Sequence, residues 1–403
     1  MVAVYDMLKA TGIRDHTGQN LEFLYWNRTM NDDQRRARQS MDKAIDIIIS
    51  ENPHVSKQLV YEKLLFGIVQ PAAYYIGEKH DVRSEVEQAT NELLNYHPNR
   101  EIDIPIINLE VGPEPIKFGL VTFHNMTDED KNDIWLARIA DKKIVDGIGA
   151  ISYARIVALG DLEKSKEDAD KIVNDVLTYL RAISFPISSE TQIGVINDFP
   201  TSQIRPYRSG PAPKNPRLEA DISYSWRLGS GHVTYNLWKD ILSVVDSSIL
   251  KKLQDLTEND YRKPRTNMKR KFLLGLRWLG EATKPDAPEA KFAKLAFALE
   301  ALIGGEAKED NLSTRGLTAT LAERGAFIAG EDEGQRKEIH DAIYIYYGYR
   351  SGIVHGGGKQ ISDDQLASFA SLIRRIAWSL LDKIDTFTDV DSLQRWVLNQ
   401  RYT

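Results

Sequence analysis

EGQRKEIHDAIYIYYGYRSGIVHGGG, residues 333–358, decides how the C-terminal part of this chain folds. Ile339, Ile343, Tyr346 or Tyr347, Arg350 and Val354 recur at helical spacing. The segment therefore predicts one helix, Glu333–Val354, stopped by Gly356, Gly357 and Gly358. Arg350 stands on the stripe where an apolar residue is expected, and a charge facing inward is costly unless a partner, a ligand or an interface meets it. His355 follows where the glycines end the helix. Five residues of regular helix rotate by about 140°. The two side chains thus converge only if the helix unwinds over Ile353–His355, or if two chains bring their motifs together.

Arginine grips phosphate through a fork of N–H donors, and histidine both gives and takes a proton near neutrality. Together they are the minimum kit for cutting RNA without a metal. The pair also has an ordinary explanation, since basic residues in a last helical turn offset the dipole and cap carbonyls.

Working outward, the spacing predicts helices over Met268–Glu281, Glu289–Ile303, Leu312–Ile328, Glu333–Val354 and Asp363–Ile384. Pro285, Pro288, Gly304-Gly305, Gly330 and Gly356-Gly357-Gly358 break them. Ser362 with Gln365 forms a capping box for the last. Residues 268–387 read as a helical bundle, preceded by a connecting helix and basic linker over 236–267 and followed by a tail helix over 388–403. Leu237, Ile241, Val244, Val245 and Ile249 mark the connecting helix.

Residues 1–235 read as a mixed α/β domain that senses or regulates. Met41, Ala44, Ile45 and Ile48 share a helix face, and Val55–Ile76 forms a second apolar segment broken at Pro71. Ile102, Ile104 and Ile106 alternate, as do Ile116, Phe118 and Leu120 after the Gly112-Pro113 turn, which predicts a strand pair. A helix is expected after Thr127. A strand over Ala150–Leu159 leads into a helix whose Ala169, Ile172, Val173, Val176, Leu177 and Leu180 share a face. Thr191–Ile196 and Ile222–Val233 read as further strands, and the proline-rich Asn197–Pro216 as a long loop. The fold class expected is α+β.

Composition narrows the function classes. With 403 residues, 42% of them hydrophobic and 27% charged, the chain reads as an ordinary globular protein of two or three domains. The net charge of −6 argues against a surface coated by nucleic acid, although a local basic groove is compatible with it. The absence of cysteine removes disulfides, thiol nucleophiles and thiolate metal sites. No apolar run nears the ~20 residues that cross a bilayer, and no leader pattern opens the chain, so no membrane and a cytoplasmic location are expected. No two histidines stand at metal-ligand spacing, and no phosphate-binding loop, dinucleotide fingerprint or serine elbow is present. No metal or cofactor is therefore expected.

Three pieces in order resemble the HEPN superfamily, specifically its Apea-like group. They are Phe292 to Ile303 (FAKLAFALEALI), Leu321 to Ala326 (LAERGA) and Tyr347 to Gly356 (YGYRSGIVHG). The resemblance covers residues 268–387, and Ile151 to Leu180 is similar to the region that often precedes such a domain. It implies an all-α HEPN bundle acting as a metal-independent endoribonuclease, often in toxin–antitoxin or antiphage systems and commonly as a homodimer. By position, Arg350 and His355 are then the catalytic pair, with Ser351 the polar residue following the arginine. Glu300 either faces inward to hold Arg350 or is a solvated charge. Arg324 either contacts RNA or forms an intrachain salt bridge. Lys359 and Tyr347 are the further RNA contacts, and a protein or phage-derived trigger is expected at the N-terminal domain. Some HEPN toxins carry, two residues after the histidine, a tyrosine that a partner modifies. Gly357 stands there, which puts that neutralisation in doubt. The alternative is a HEPN module that no longer cuts but binds RNA, nucleotide or a partner protein.

Overall fold

The structure is a computed structural model. It describes residues 32–64, 82–96, 98–125, 151–184, 193–195, 205–211, 217–221, 235–258, 266–284, 286–305, 316–354 and 360–401. Among the described residues three helices come first, α1 (Asp32–Glu51), α2 (Lys57–Leu64) and α3 (Val82–Leu94). The strands β1 (Asn99–Ile107), β2 (Leu109–Glu110), β3 (Ile116–Phe118), β4 (Val121–Asn125) and β5 (Ile151–Leu159) follow. After α4 (Leu162–Ser184) come β6 (Gly194–Val195), β7 (Arg205–Pro211), β8 (Arg217–Asp221) and β9 (Tyr235–Asn236). The further elements among the described residues are helices: α5 (Ser247–Glu258), α6 (Asn267–Glu281), α7 (Pro288–Ile303), α8 (Leu317–Ala329), α9 (Glu333–Val354), α10 (Asp363–Asp382) and α11 (Val390–Gln400). The architecture is α+β. Two compact units form, one of Met1–Ile102, Val157–Asp170 and Arg208–Leu218, the other of Asp103–Ile156, Lys171–Tyr207 and Glu219–Thr403.

In the first unit Ala44, Ile45 and Ile48 of α1 bury against an apolar cluster with Val60, Leu64 and Leu93. Asn52, 1% exposed, donates to the carbonyl of Leu93 at 2.7 Å and accepts from the amide of His54 at 3.1 Å, so its burial is compensated. Gly160 turns the chain into α4 with φ of +134°, and a Cβ there would collide with the His54 carbonyl. Asp161 accepts from the amides of Glu163 and Ser56, capping that helix start.

The strand order is β3-β4-β5-β1-β7-β8, with β6 also pairing β1. The expected hairpin across Gly112-Pro113 does not form. β3 pairs antiparallel with β4 across Gly119-Leu120, with Ile116 opposite Phe123, and β4 pairs with β5, with His124 opposite Tyr153. Short β2 pairs instead with β9, in parallel. Ile102, Ile104 and Ile106 are buried as the alternation requires. Asp103, on the opposite face, is buried too because Arg155 of neighbouring β5 grips it with two hydrogen bonds of 2.8 and 2.9 Å. Two further expectations change. Part of the proline-rich stretch is the strand β7, not loop, and the connecting helix is broken into a π turn, a 3₁₀ turn and α5. The apolar segment beyond residue 64, the helix after Thr127 and the stretch 222–233 lie outside the described residues.

The helical part matches its local signals closely because those signals are local. Pro288 opens α7, the Ser362–Gln365 box opens α10, and Gly304 and Gly330 follow α7 and α8. Phe272, Phe292, Leu299, Phe369 and Ile373 are fully buried between these helices, each large side chain contributing roughly 2–3 kcal/mol. Two glycines allow close helix contact: a Cβ on Gly275 would stand 2.5 Å from Leu302 Cγ, and one on Gly325 2.5 Å from Ile343 Cδ1. The C-terminal helix α11 belongs to this core rather than to a tail, with Leu393 and Val397 buried. No described helix is long and apolar enough to cross a membrane.

Candidate functional site

Glu300 sits in the last turn of α7, where the helix carbonyls already place partial negative charge. A carboxylate there needs donors, and α9 supplies two. The Tyr347 hydroxyl donates to Glu300 Oε1 at 2.6 Å, and an Arg350 terminal nitrogen stands 3.5 Å from the same oxygen. Arg350 also lies above the Tyr347 ring, 5.5 Å from its centroid. Burial first, and the Glu300 carboxylate second, push the Tyr347 hydroxyl well above the ordinary tyrosine range, so it remains a donor at any physiological pH.

The helix register accounts for this arrangement. Ile339, Ile343 and Tyr347 are buried along one stripe of α9, and Arg350 continues it, its side chain 28% exposed. The stripe thus runs through Tyr347 rather than Tyr346. Tyr346 instead stacks on Phe369 at 4.6 Å, and Tyr349 lies 6.1 Å from Phe292, so these two rings join the aromatic core. Tyr344 and Ile345 are exposed on another face.

The guanidinium is held by Glu300 at one edge, and the side chain as a whole is 28% exposed. At 3.5 Å its contact with Glu300 is an ion pair longer than a normal hydrogen bond. Its Nε is buried and has no hydrogen-bond partner among the described residues. A buried donor left unmatched costs about 1–3 kcal/mol. Ser351 is exposed beside it. His355 and Lys359 lie outside the described residues.

Arg324 is elsewhere and otherwise employed. It is 1% exposed, and its fork donates to the carbonyls of Ile303 and Gly305 at 2.8 and 2.9 Å and to Gln394 Oε1 at 2.7 Å. Burial holds its pKa down to about 10. It locks α8, the end of α7 and α11 together; the sequence offered an intrachain role for it but not these partners, two carbonyls and an amide oxygen, which are remote in the chain. Arg324 and Tyr347, both expected as RNA contacts, are buried in the chain, at 1% and 7% exposure. Among the described residues no group of three His, Asp or Glu side chains is placed to hold a metal ion. No protein-family model matches the chain, and neither a curated protein nor a solved structure is similar to it.

Proposed function

We propose that this protein is a metal-independent endoribonuclease of the HEPN type, acting as a homodimer. The observation that supports it most is the Arg350 guanidinium, part-exposed, backed by Glu300 and Tyr347, with an unmatched Nε at the end of α9. In RNA the 2′-hydroxyl attacks the neighbouring phosphorus and the 5′-oxygen leaves, giving a 2′,3′-cyclic phosphate and a 5′-hydroxyl. Negative charge grows on the phosphoryl oxygens, and Arg350 stabilises it. His355 takes the proton of the 2′-hydroxyl or returns one to the leaving oxygen. One chain supplies one such histidine, and the two proton transfers suit two, so a second copy completes the site. The setting proposed is prokaryotic antiphage defence or toxicity, with a protein or phage-derived trigger acting on residues 1–235.

Total RNA and transfer RNA incubated with wild type, Arg350→Ala and His355→Ala provide the test. Wild type is expected to yield 2′,3′-cyclic phosphate ends in the presence of EDTA, and each variant to lose cleavage by roughly 100-fold or more. Full cleavage by His355→Ala overturns the mechanism.

A second proposal, a HEPN module that binds RNA or a partner protein without cutting, draws on the same ion pair. Arg350 already has Glu300 in its own chain, and a purely structural pair needs no substrate. RNA binding without cyclic phosphate ends, together with loss of stability in Arg350→Ala, would favour it.

A further inference from the structure

A groove of about 310 Å³ between α4 and α6 takes no part in the chemistry above. On α4, Lys171, Asp175 and Tyr179 line it at intervals of four residues. On α6, Arg270, Leu274 and Arg277 do so at four and then three. Such spacing places each row on one helix face, so two rows confront each other across the cavity. Leu120, from the turn between β3 and β4, and Thr257 of α5 complete the wall. All of these residues belong to the second compact unit.

The lining has three cations against one carboxylate, a local surplus of two positive charges on a chain whose net charge is −6. Asp175 meets Arg277 at 2.5 Å. Lys171 and Arg270 line the same cavity as this pair, and three cationic side chains around one concavity suit an anion. Leu120, Ile172, Val176, Leu273 and Leu274 give the wall an apolar part beside the hydroxyls of Tyr179 and Thr257, and Leu274 is 44% exposed next to the cations. A volume near the lower end of the ~300–1,000 Å³ typical of ligand pockets suits a single small molecule rather than a strand. The walls are also fixed in advance. Gly280 brings α6 against the Thr178 carbonyl of α4, and Arg374 of α10 donates to the carbonyl of Ala182 at 2.8 Å. Little ordering is therefore required on binding.

We propose that this groove binds a small organic phosphate about the size of a nucleoside monophosphate. Lys171, Arg270 and Arg277 hold the phosphate, and the body of the ligand lies against Leu120, Leu273 and Leu274. The proposal does not depend on ribonuclease activity.

Calorimetric titration of the full-length protein with AMP, inorganic pyrophosphate and a single-stranded RNA oligomer tests it. AMP and pyrophosphate are expected to bind saturably, and Arg270→Ala and the double variant Lys171→Ala/Arg270→Ala to weaken both at least about tenfold. Leu274→Ser is expected to weaken AMP while sparing pyrophosphate. Arg270 is an exposed helical residue, so Arg270→Ala retains a strong helix former, and an unchanged melting temperature certifies the fold. Absence of binding at millimolar AMP and pyrophosphate overturns the proposal, as does affinity unchanged in the double variant. RNA that pyrophosphate displaces and AMP does not would overturn it in favour of a polynucleotide site.

Discussion

One carboxylate oxygen organises the candidate site, and Tyr347 is its closest donor. Replacing Tyr347 with Phe removes that hydrogen bond and is expected to cost about 1 kcal/mol at pH 8. The pH dependence has a definite sign. The folded-state pKa of Tyr347 is raised, so the folded protein keeps a proton that the unfolded chain releases near pH 10. Stability from this group is therefore complete below about pH 10 and falls as pH rises further. Urea unfolding at pH 8 and pH 11 should show the gap between wild type and Tyr347→Phe closing at the higher pH. A constant gap would mean the hydroxyl is not the titrating group. Arg350 was legible in the sequence because a cation on a 3.6-residue apolar stripe needs a reason, and Glu300 because it interrupts Leu299, Ala301 and Leu302. Tyr347 as their link was not. One residue of helix turns about 100°, and the pattern alone left Tyr346 and Tyr347 open.

Elements divide by whether their signals are local. Helices α6 to α10 carry their own period, caps and stops, and the sequence placed each within a few residues of its observed bounds where the structure describes them. Strand pairing is a choice among distant partners, and alternation in one strand does not name its neighbour. The alternating run at β1 therefore suggested β3, whereas β3 pairs with β4, the adjacent segment. Proline content misled in the same way at β7, since prolines argue against a central strand without forbidding strand structure. The contact of α4 with α6 was equally invisible, because it depends on a single missing side chain. A Cβ on Gly280 would collide with the Thr178 carbonyl. Gly280→Ala is expected to destabilise the protein by about 1–3 kcal/mol despite alanine's better helix propensity. Chemical unfolding measures it, and a stabilised variant would show that α4 and α6 are not in this close contact.

At the scale of the whole molecule, the decisive matter is whether two copies meet along α9. Tyr344, Gly348 and Gly352 follow one another at intervals of four residues and so share a face, with Ile345 beside them. Tyr344 and Ile345 are 43% and 55% exposed, and a Cβ on either glycine would meet nothing within 4 Å. Within one chain these glycines are a cost, since each lowers helix stability by up to about 1 kcal/mol relative to alanine. Gly348→Ala/Gly352→Ala should therefore raise the melting temperature of the isolated chain. If a second copy lies against this face, the added methyl groups force the two helices apart and weaken association. Sedimentation across a concentration series should then show dissociation at concentrations where wild type is dimeric. Under the proposed dimeric ribonuclease, in which each site would borrow a histidine from its partner, cleavage should fall in dilute solution and recover as protein is added. A variant that melts higher, stays dimeric and cuts RNA at the wild-type rate would place the dimer contact on another face.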